Sequence, residues 1–406
     1  MKIFRKDSSK LKKIINRTFN SNKNINRKVA KILDDIRLNG DEALLKYTRK
    51  FDKVKLSVRD IKVTQSEISS AFQEIKPEFV SQLQIILNNV TRFYKRQSKK
   101  VWRIKDEEGI LLGEYKKPLD SVGIYVPSGS APLVSSVYMS VLPAKLAGVR
   151  RIVLMSPPNK YKTINPYILA VANLLKVTEI YKIGGAQAIA ALAFGTKTIP
   201  KVDKIIGPGN VYVTEAKRQV FGFSDIDMLA GPTEVVIIAN KFSNPDFIKA
   251  DIKAQTEHLQ GLAITITTCK KLAKILAQEE VKNSFVVIVK NLKEAVDLSN
   301  EIAPEHLEIM VNNPRKLLKD VKNAGAVFLG AYSPVAIGDY VAGPSHILPT
   351  MGTAKFFSGL TLDDFMKSTH VISYSKKALD KCRKPLETIA SLEGLVKHLE
   401  SVRVRF

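Results

Sequence analysis

The chain has 406 residues, 45% hydrophobic and 25% charged, with 64 Lys and Arg against 39 Asp and Glu for a formal net charge of +25. This composition suits a globular chain with room for two or three cores, and no run of about 18 uncharged apolar residues is present to span a membrane. Cys269 and Cys382 lack CxxC spacing, which supports neither a disulfide framework nor a thiolate zinc site and fits a reducing, cytoplasmic setting, and the dispersed basic residues lack the aromatic platform or zinc-finger spacing of a nucleic-acid binder.

Residues 1–30 hold one acid, Asp7, among ten basic residues, a charge bias like that of a transit peptide without its serine content. Leu11, Ile14, Ile15 and Phe19 fall at helical spacing in one apolar stripe that needs a surface to cover. From 29 to about 103 the periodicity predicts helices, with Ile32, Ile36, Ala43 and Leu44 on one face and Phe72, Ile75, Phe79, Leu83, Ile86 and Val90 on another. Asn39-Gly40 marks a break, and Asp41 and Glu42 suit a new helix start.

A β-rich run at 119–127 leads through the small-residue loop 128–132 into an apolar helix, then a strand at 151–155, a helix at 170–175 and a strand at 180–183. This βαβα rhythm predicts a parallel sheet flanked by helices. Gly184-Gly185-Ala186-Gln187 falls where a strand ends and a helix begins, a place where α/β proteins bind ligands, although no GxGxxG fingerprint occurs in the chain. Gln187 has the alternative reading of a residue that satisfies the helix N-terminus. Met228–Glu234 is a turn before an apolar strand at 235–239, and Thr233 there reads as a local hydrogen-bonding residue.

Gln255 and His258 lie three residues apart on a predicted helix, hence on one face. Strands at 263–267 and 285–289 flank a short helix at 272–278 as a second βαβ unit. Glu305-His306 places two proton-transfer groups of different resting pKa side by side. After a strand at 326–328, the irregular loop GDYVAGPSHILPT is able to aim Asp339 and His346 at one point. The tail 362–406 reads as mostly helical, with Glu393 and His398 five residues apart around Gly394 and so off one helix face. His370 stands outside any motif.

The runs APEHLE around Glu305-His306, AQTEH with Gln255 and His258, GDYVAGPSHILPT, GGAQA at 184–188 and GPGN at 207–210 together resemble histidinol dehydrogenase, in that family's order and over nearly the whole chain. The resemblance implies two Rossmann-like α/β domains with parallel sheets flanked by helices, an N-terminal helical arm (1–22) and a small helical C-terminal extension (362–406). The first domain would be discontinuous (23–120 and 235–361) and carry metal and catalysis, and the second (121–234) would bind NAD. It further implies an NAD-dependent, zinc-containing oxidation of L-histidinol to L-histidine through the aldehyde, with Glu305 activating water and His306 moving protons. Tyr125, Gln187 and Asn210 match the NAD positions. Gln255, His258, Asp339 and His398 match the Zn2+ ligands, and Thr233, Gln255, His258, His306, Asp339, His346, Glu393 and His398 the substrate positions. The family is a homodimer in which Glu393 and His398 reach the partner's site and the N-terminal arm packs on the partner.

Three positions depart from the family pattern: Thr233 stands where Ser is usual, Ser345 where Asn is usual and Ser128 where Gly is usual. The segment between His258 and Glu305 is also shorter by about a helix. The alternatives are a related zinc and NAD-linked dehydrogenase of another small polyol or amino alcohol and, from a different class, a basic nucleic-acid-binding protein. Together, Glu305 and His306 argue against the latter.

Overall fold

The computed structural model describes residues 1–17, 22–97, 101–128, 132–258 and 260–406. Phe19 of the apolar stripe and residues 129–131 of the small-residue loop lie outside the described residues. The chain divides into two units, Met1–Gln97 with Leu119–Phe365 and Ser98–Pro118 with Met366–Phe406.

The first unit contains two parallel sheets. Apolar runs such as Val235–Ala239, too short for helices and bounded by turn residues, become strands buried on both sides. The six-stranded sheet runs in the order Lys2–Phe4, Ser284–Ile288, Leu262–Thr267, Glu234–Ala239, His306–Met310 and Ala326–Leu329, all parallel. Alternate residues feed two cores: Val236, Ile238, Leu307 and Ile309 on one side, Val235, Ile237 and Met310 on the other. The register pairs His306 with Val235 and Glu308 with Ile237, so both polar residues share the second face with helix Pro245–Thr256, whose Ile248 and Ile252 are buried there.

The five-stranded sheet runs Glu179–Tyr181, Arg151–Met155, Ser121–Tyr125, Lys204–Ile206 and Asp225–Ile226, again all parallel. The helices Lys23–Phe51 and Gly185–Phe194 share a core with this sheet. The break expected at Gly40 is a kink inside the first of them, where Gly40 adopts φ 50°.

Residues 1–17 correct one expectation. Lys2–Phe4 adds a parallel edge strand to the larger sheet, and the helix Ser9–Ile15 lays Leu11, 1% exposed, into the core of Val236, Ile264 and Leu307, with Ile14 and Ile15 against it. The stripe therefore has its surface within its own chain. A three-residue strand is too short to announce itself by periodicity, because its stability comes from the partner strand about 280 residues away.

In the second unit, Met366–Ser373, Leu111–Pro118 and Trp102–Lys105 form an antiparallel sheet, followed by the helices Lys376–Leu392 and Val396–Arg403. The tail 362–406 thus includes the strand Met366–Ser373 before its long helices, and the helical reading of 29–103 ends before Trp102.

Candidate functional site

The centre of the first unit's chemistry is the join between the turn at Thr233 and the strand that begins at His306. Glu305 Oε2 accepts a hydrogen bond from Thr233 Oγ1 at 2.5 Å and another from the backbone N–H of Glu234 at 3.0 Å. Gln255 Nε2 donates to Thr233 Oγ1 at 2.9 Å, so a chain runs from Gln255 through Thr233 to Glu305. The carbonyl of Glu234 lies 3.0 Å from His306 Nδ1. A carbonyl only accepts, so Nδ1 carries the ring hydrogen and Nε2 keeps a lone pair. That Nε2 is buried without a hydrogen-bond partner, and the nearest acid, Asp339 Oδ1, stands 3.7 Å away.

Electrostatics follow from burial. His306, 3% exposed, is pushed down to about 4, chiefly because its charged form loses water, and nearby His346 and His258 oppose protonation further. Burial pushes Glu305 well above the usual carboxylate range against the pull of Thr233 and the Glu234 amide. Asp339 is raised to about 6 by the same cause. His346 Nδ1 donates to the carbonyl of Asp339 at 2.9 Å, leaving Nε2 to accept from Ser136 Oγ at 3.2 Å. Its pKa is also lowered by burial.

One local expectation fails. Helix Pro245–Thr256 ends before His258, which is exposed, so Gln255 and His258 do not share a helix face. Gly261 lies so close beneath that a Cβ there would approach the Gln255 carbonyl to 2.2 Å, and its N–H bonds to the His258 carbonyl, so the chain turns back at this point. In the second unit Glu393 caps the end of Lys376–Leu392, followed by the break at Gly394, and His398 sits on Val396–Arg403; both are exposed.

Among the described residues no group of three or more His, Cys, Asp or Glu lies close enough to hold a metal. Of the four expected ligands, Gln255 and Asp339 adjoin Glu305 and His306, His258 is near enough to bias His306, and His398 belongs to the other unit. The nitrogen and oxygen donors fit zinc in kind, and His306 Nε2 beside Asp339 is buried without a hydrogen-bond partner.

The expected dinucleotide residues gather at the ends of the smaller sheet's strands. Tyr125, last in its strand, accepts from the Gly185 N–H at 3.0 Å through its hydroxyl, at the start of the Gly185–Phe194 helix. Its buried phenol is pushed up to about 12. Gly207 passes so tightly that a Cβ would come within 2.2 Å of the Tyr125 carbonyl, which brings the 207–210 loop beside it. Asn210 caps the helix Val211–Val220 by accepting from the Tyr212 and Val213 amides. Gln187, by contrast, caps nothing: both polar atoms of its side chain are buried without a hydrogen-bond partner.

Two contributors were not singled out in the sequence. Glu234 holds both Glu305 and His306 through its backbone, while its own carboxylate is gripped by Arg17 and accepts the Met351 amide at 2.8 Å. A carboxylate opening an otherwise apolar strand was the available signal. Ser136 carried none.

The histidinol dehydrogenase family model matches residues 15–406. The chain is similar to the histidinol dehydrogenase of Caldanaerobacter subterraneus subsp. tengcongensis, 46% identical over 97% of this chain and 95% of that protein. It is 45% identical to that of Clostridium acetobutylicum over 95% of this chain and 93% of the other. A crystal structure of histidinol dehydrogenase from Elizabethkingia anophelis superposes with a TM-score of 0.93 at 36% identity, covering 100% of this chain and 98% of that one.

Proposed function

The chain belongs to the histidinol dehydrogenase family, and from that premise we propose that it oxidises L-histidinol to L-histidine through L-histidinaldehyde, with NAD as hydride acceptor and a zinc ion in the site. The observation that carries the proposal is the Glu305-His306 pair, oriented by the Glu234 backbone and Thr233 with a bare imidazole nitrogen facing Asp339.

Alcohol oxidation releases a proton from oxygen and a hydride from carbon, and the aldehyde then needs water added before a second hydride leaves. His306 takes the hydroxyl proton at Nε2, because Nδ1 is committed to the Glu234 carbonyl. Glu305 accepts the proton of the attacking water. Thr233 and the Glu234 amide hold the carboxyl in place for this step. Gln255, His258, Asp339 and His398 would hold zinc, which when bound supplies positive charge that orients the imidazole and amino nitrogens of the substrate. Tyr125, Gln187 and Asn210 receive NAD, and the unsatisfied Gln187 amide supports that assignment. Thr233, His346 and Glu393 complete the substrate contacts.

The enzyme works as a cytoplasmic homodimer, with Glu393 and His398 entering the partner's site; their exposure on the second unit supports this. Purified, zinc-loaded protein given L-histidinol and NAD should form two NADH per histidine, and chelation should abolish turnover until zinc is restored. Zinc-loaded protein that makes no NADH from histidinol overturns the reading.

A further inference from the structure

Lys217 and Asp227 form an ion pair whose side chains are 2% and 1% exposed, and the chemistry above uses neither. Two buried charges cost free energy that is recovered only where hydrogen bonds saturate them, so the partners of the pair show what it holds. Lys217 Nζ donates to the Gly207 carbonyl at 3.0 Å as well as to Asp227 Oδ1. Asp227 Oδ2 accepts the Gly207 N–H at 2.8 Å, and Oδ1 accepts the Met228 N–H at 2.6 Å. Both backbone polar groups of the buried Gly207 are therefore taken by the two members of one ion pair. Apolar residues of the same volume would pack without the cost of burying charge, but would leave that N–H and carbonyl without these partners.

Gly207 is the residue at which the strand Lys204–Ile206 gives way to the loop 207–210, at a carboxyl end where parallel α/β sheets receive ligands. Its φ of 125° and its close approach to the Tyr125 carbonyl leave no room for a side chain. At the other end of the loop Asn210 caps Val211–Val220, the helix that carries Lys217 about two turns further on. Helical side chains lean toward the N-terminus of their helix, which brings the Lys217 ammonium back to the start of the loop. We propose that Lys217 and Asp227 are a positioning pair for the dinucleotide site: by fixing the N–H and the carbonyl of Gly207 they set the path of the 207–210 loop beside Tyr125 and hold Asn210 in place for the cofactor. Buried as they are, both act through the loop and not by touching the cofactor.

This inference rests on the reading of Tyr125 and Asn210 as NAD residues. Lys217→Met frees the Gly207 carbonyl, and Asp227→Asn leaves at least one of the Gly207 and Met228 amides without its acceptor. In folded, zinc-loaded protein both variants should raise the Kd for NAD, measured by calorimetry, about tenfold, the scale of one lost charge-assisted hydrogen bond. The KM for NAD should rise with it while the KM for histidinol stays within about twofold of wild type. Hydrogen exchange in 207–210 should quicken in both. Leu11→Ala, which loosens the larger sheet, should leave the Kd for NAD at its wild-type value, so a rise common to all destabilised variants overturns the proposal. Wild-type NAD binding and exchange in Lys217→Met overturn it as well. Should Lys217→Met fail to fold around the unpaired Asp227, the double variant Lys217→Met/Asp227→Asn removes both charges, keeps an oxygen for the Gly207 N–H and still frees the carbonyl, and it should show the same rise. If wild type binds no NAD, the cofactor reading fails, while exchange in 207–210 still decides whether the pair holds the loop.

Discussion

At the scale of single residues, the site divides its labour by hydrogen bonding. His306 spends one nitrogen on the Glu234 carbonyl and keeps the other bare, so the atom that orients the ring is not the one left to accept a proton. Glu305 receives two donors at the same oxygen, which fixes the carboxyl while leaving its second oxygen outside those bonds. Replacing Glu305 by Gln preserves an acceptor for Thr233 and the Glu234 amide but removes the carboxylate proposed above as the base. In single-turnover traces Glu305→Gln should leave the first hydride transfer from histidinol near wild type and slow oxidation of histidinaldehyde by about a hundredfold, the usual scale of a general base. Equal loss in both half-reactions would make Glu305 a positioning residue instead.

At the scale of elements, residues 1–17 are part of the larger sheet's packing. Leu11 fills the core above Val236 and Leu307, Phe4 meets Phe285 with ring centroids 5.1 Å apart, and Arg17 reaches back to the Glu234 carboxylate. This ties the arm to Glu234, the residue whose backbone holds both Glu305 and His306. Leu11→Ala should cost about 2–5 kcal/mol, the range for emptying a buried leucine site. Because the contact lies within one chain, the drop in urea midpoint should be the same at low and high protein concentration. A loss that grows on dilution would instead place Leu11 at a subunit interface.

At the scale of the whole molecule, the assembly question turns on Glu393 and His398. Both are exposed on the second unit, and the apolar stripe near the N-terminus no longer argues for a partner. The dimer proposal therefore stands on the family and on these two residues. Mixing inactive His306→Ala with inactive His398→Ala protein under subunit exchange should restore activity, because one site in each mixed dimer draws both intact residues from different chains. If mixed dimers form and stay inactive, each site is complete within one chain.

Much of this protein was determined by sequence alone. Apolar runs bounded by turn residues marked the parallel strands at 121–125, 151–155, 234–239 and 262–267, because a strand buried on both faces must be continuously apolar. Glu305, His306 and Asp339 were legible as adjacent or motif residues. Tertiary structure decided what depends on distant chain. The Lys2–Phe4 strand exists only against Ser284–Ile288, and Met366–Ser373 only against Leu111–Pro118. Glu234 grips His306 across 72 residues, and Ser136 meets His346 across 210. Local periodicity reports which face of an element is buried, whereas the partner of a buried polar atom is set by whatever the fold brings to it.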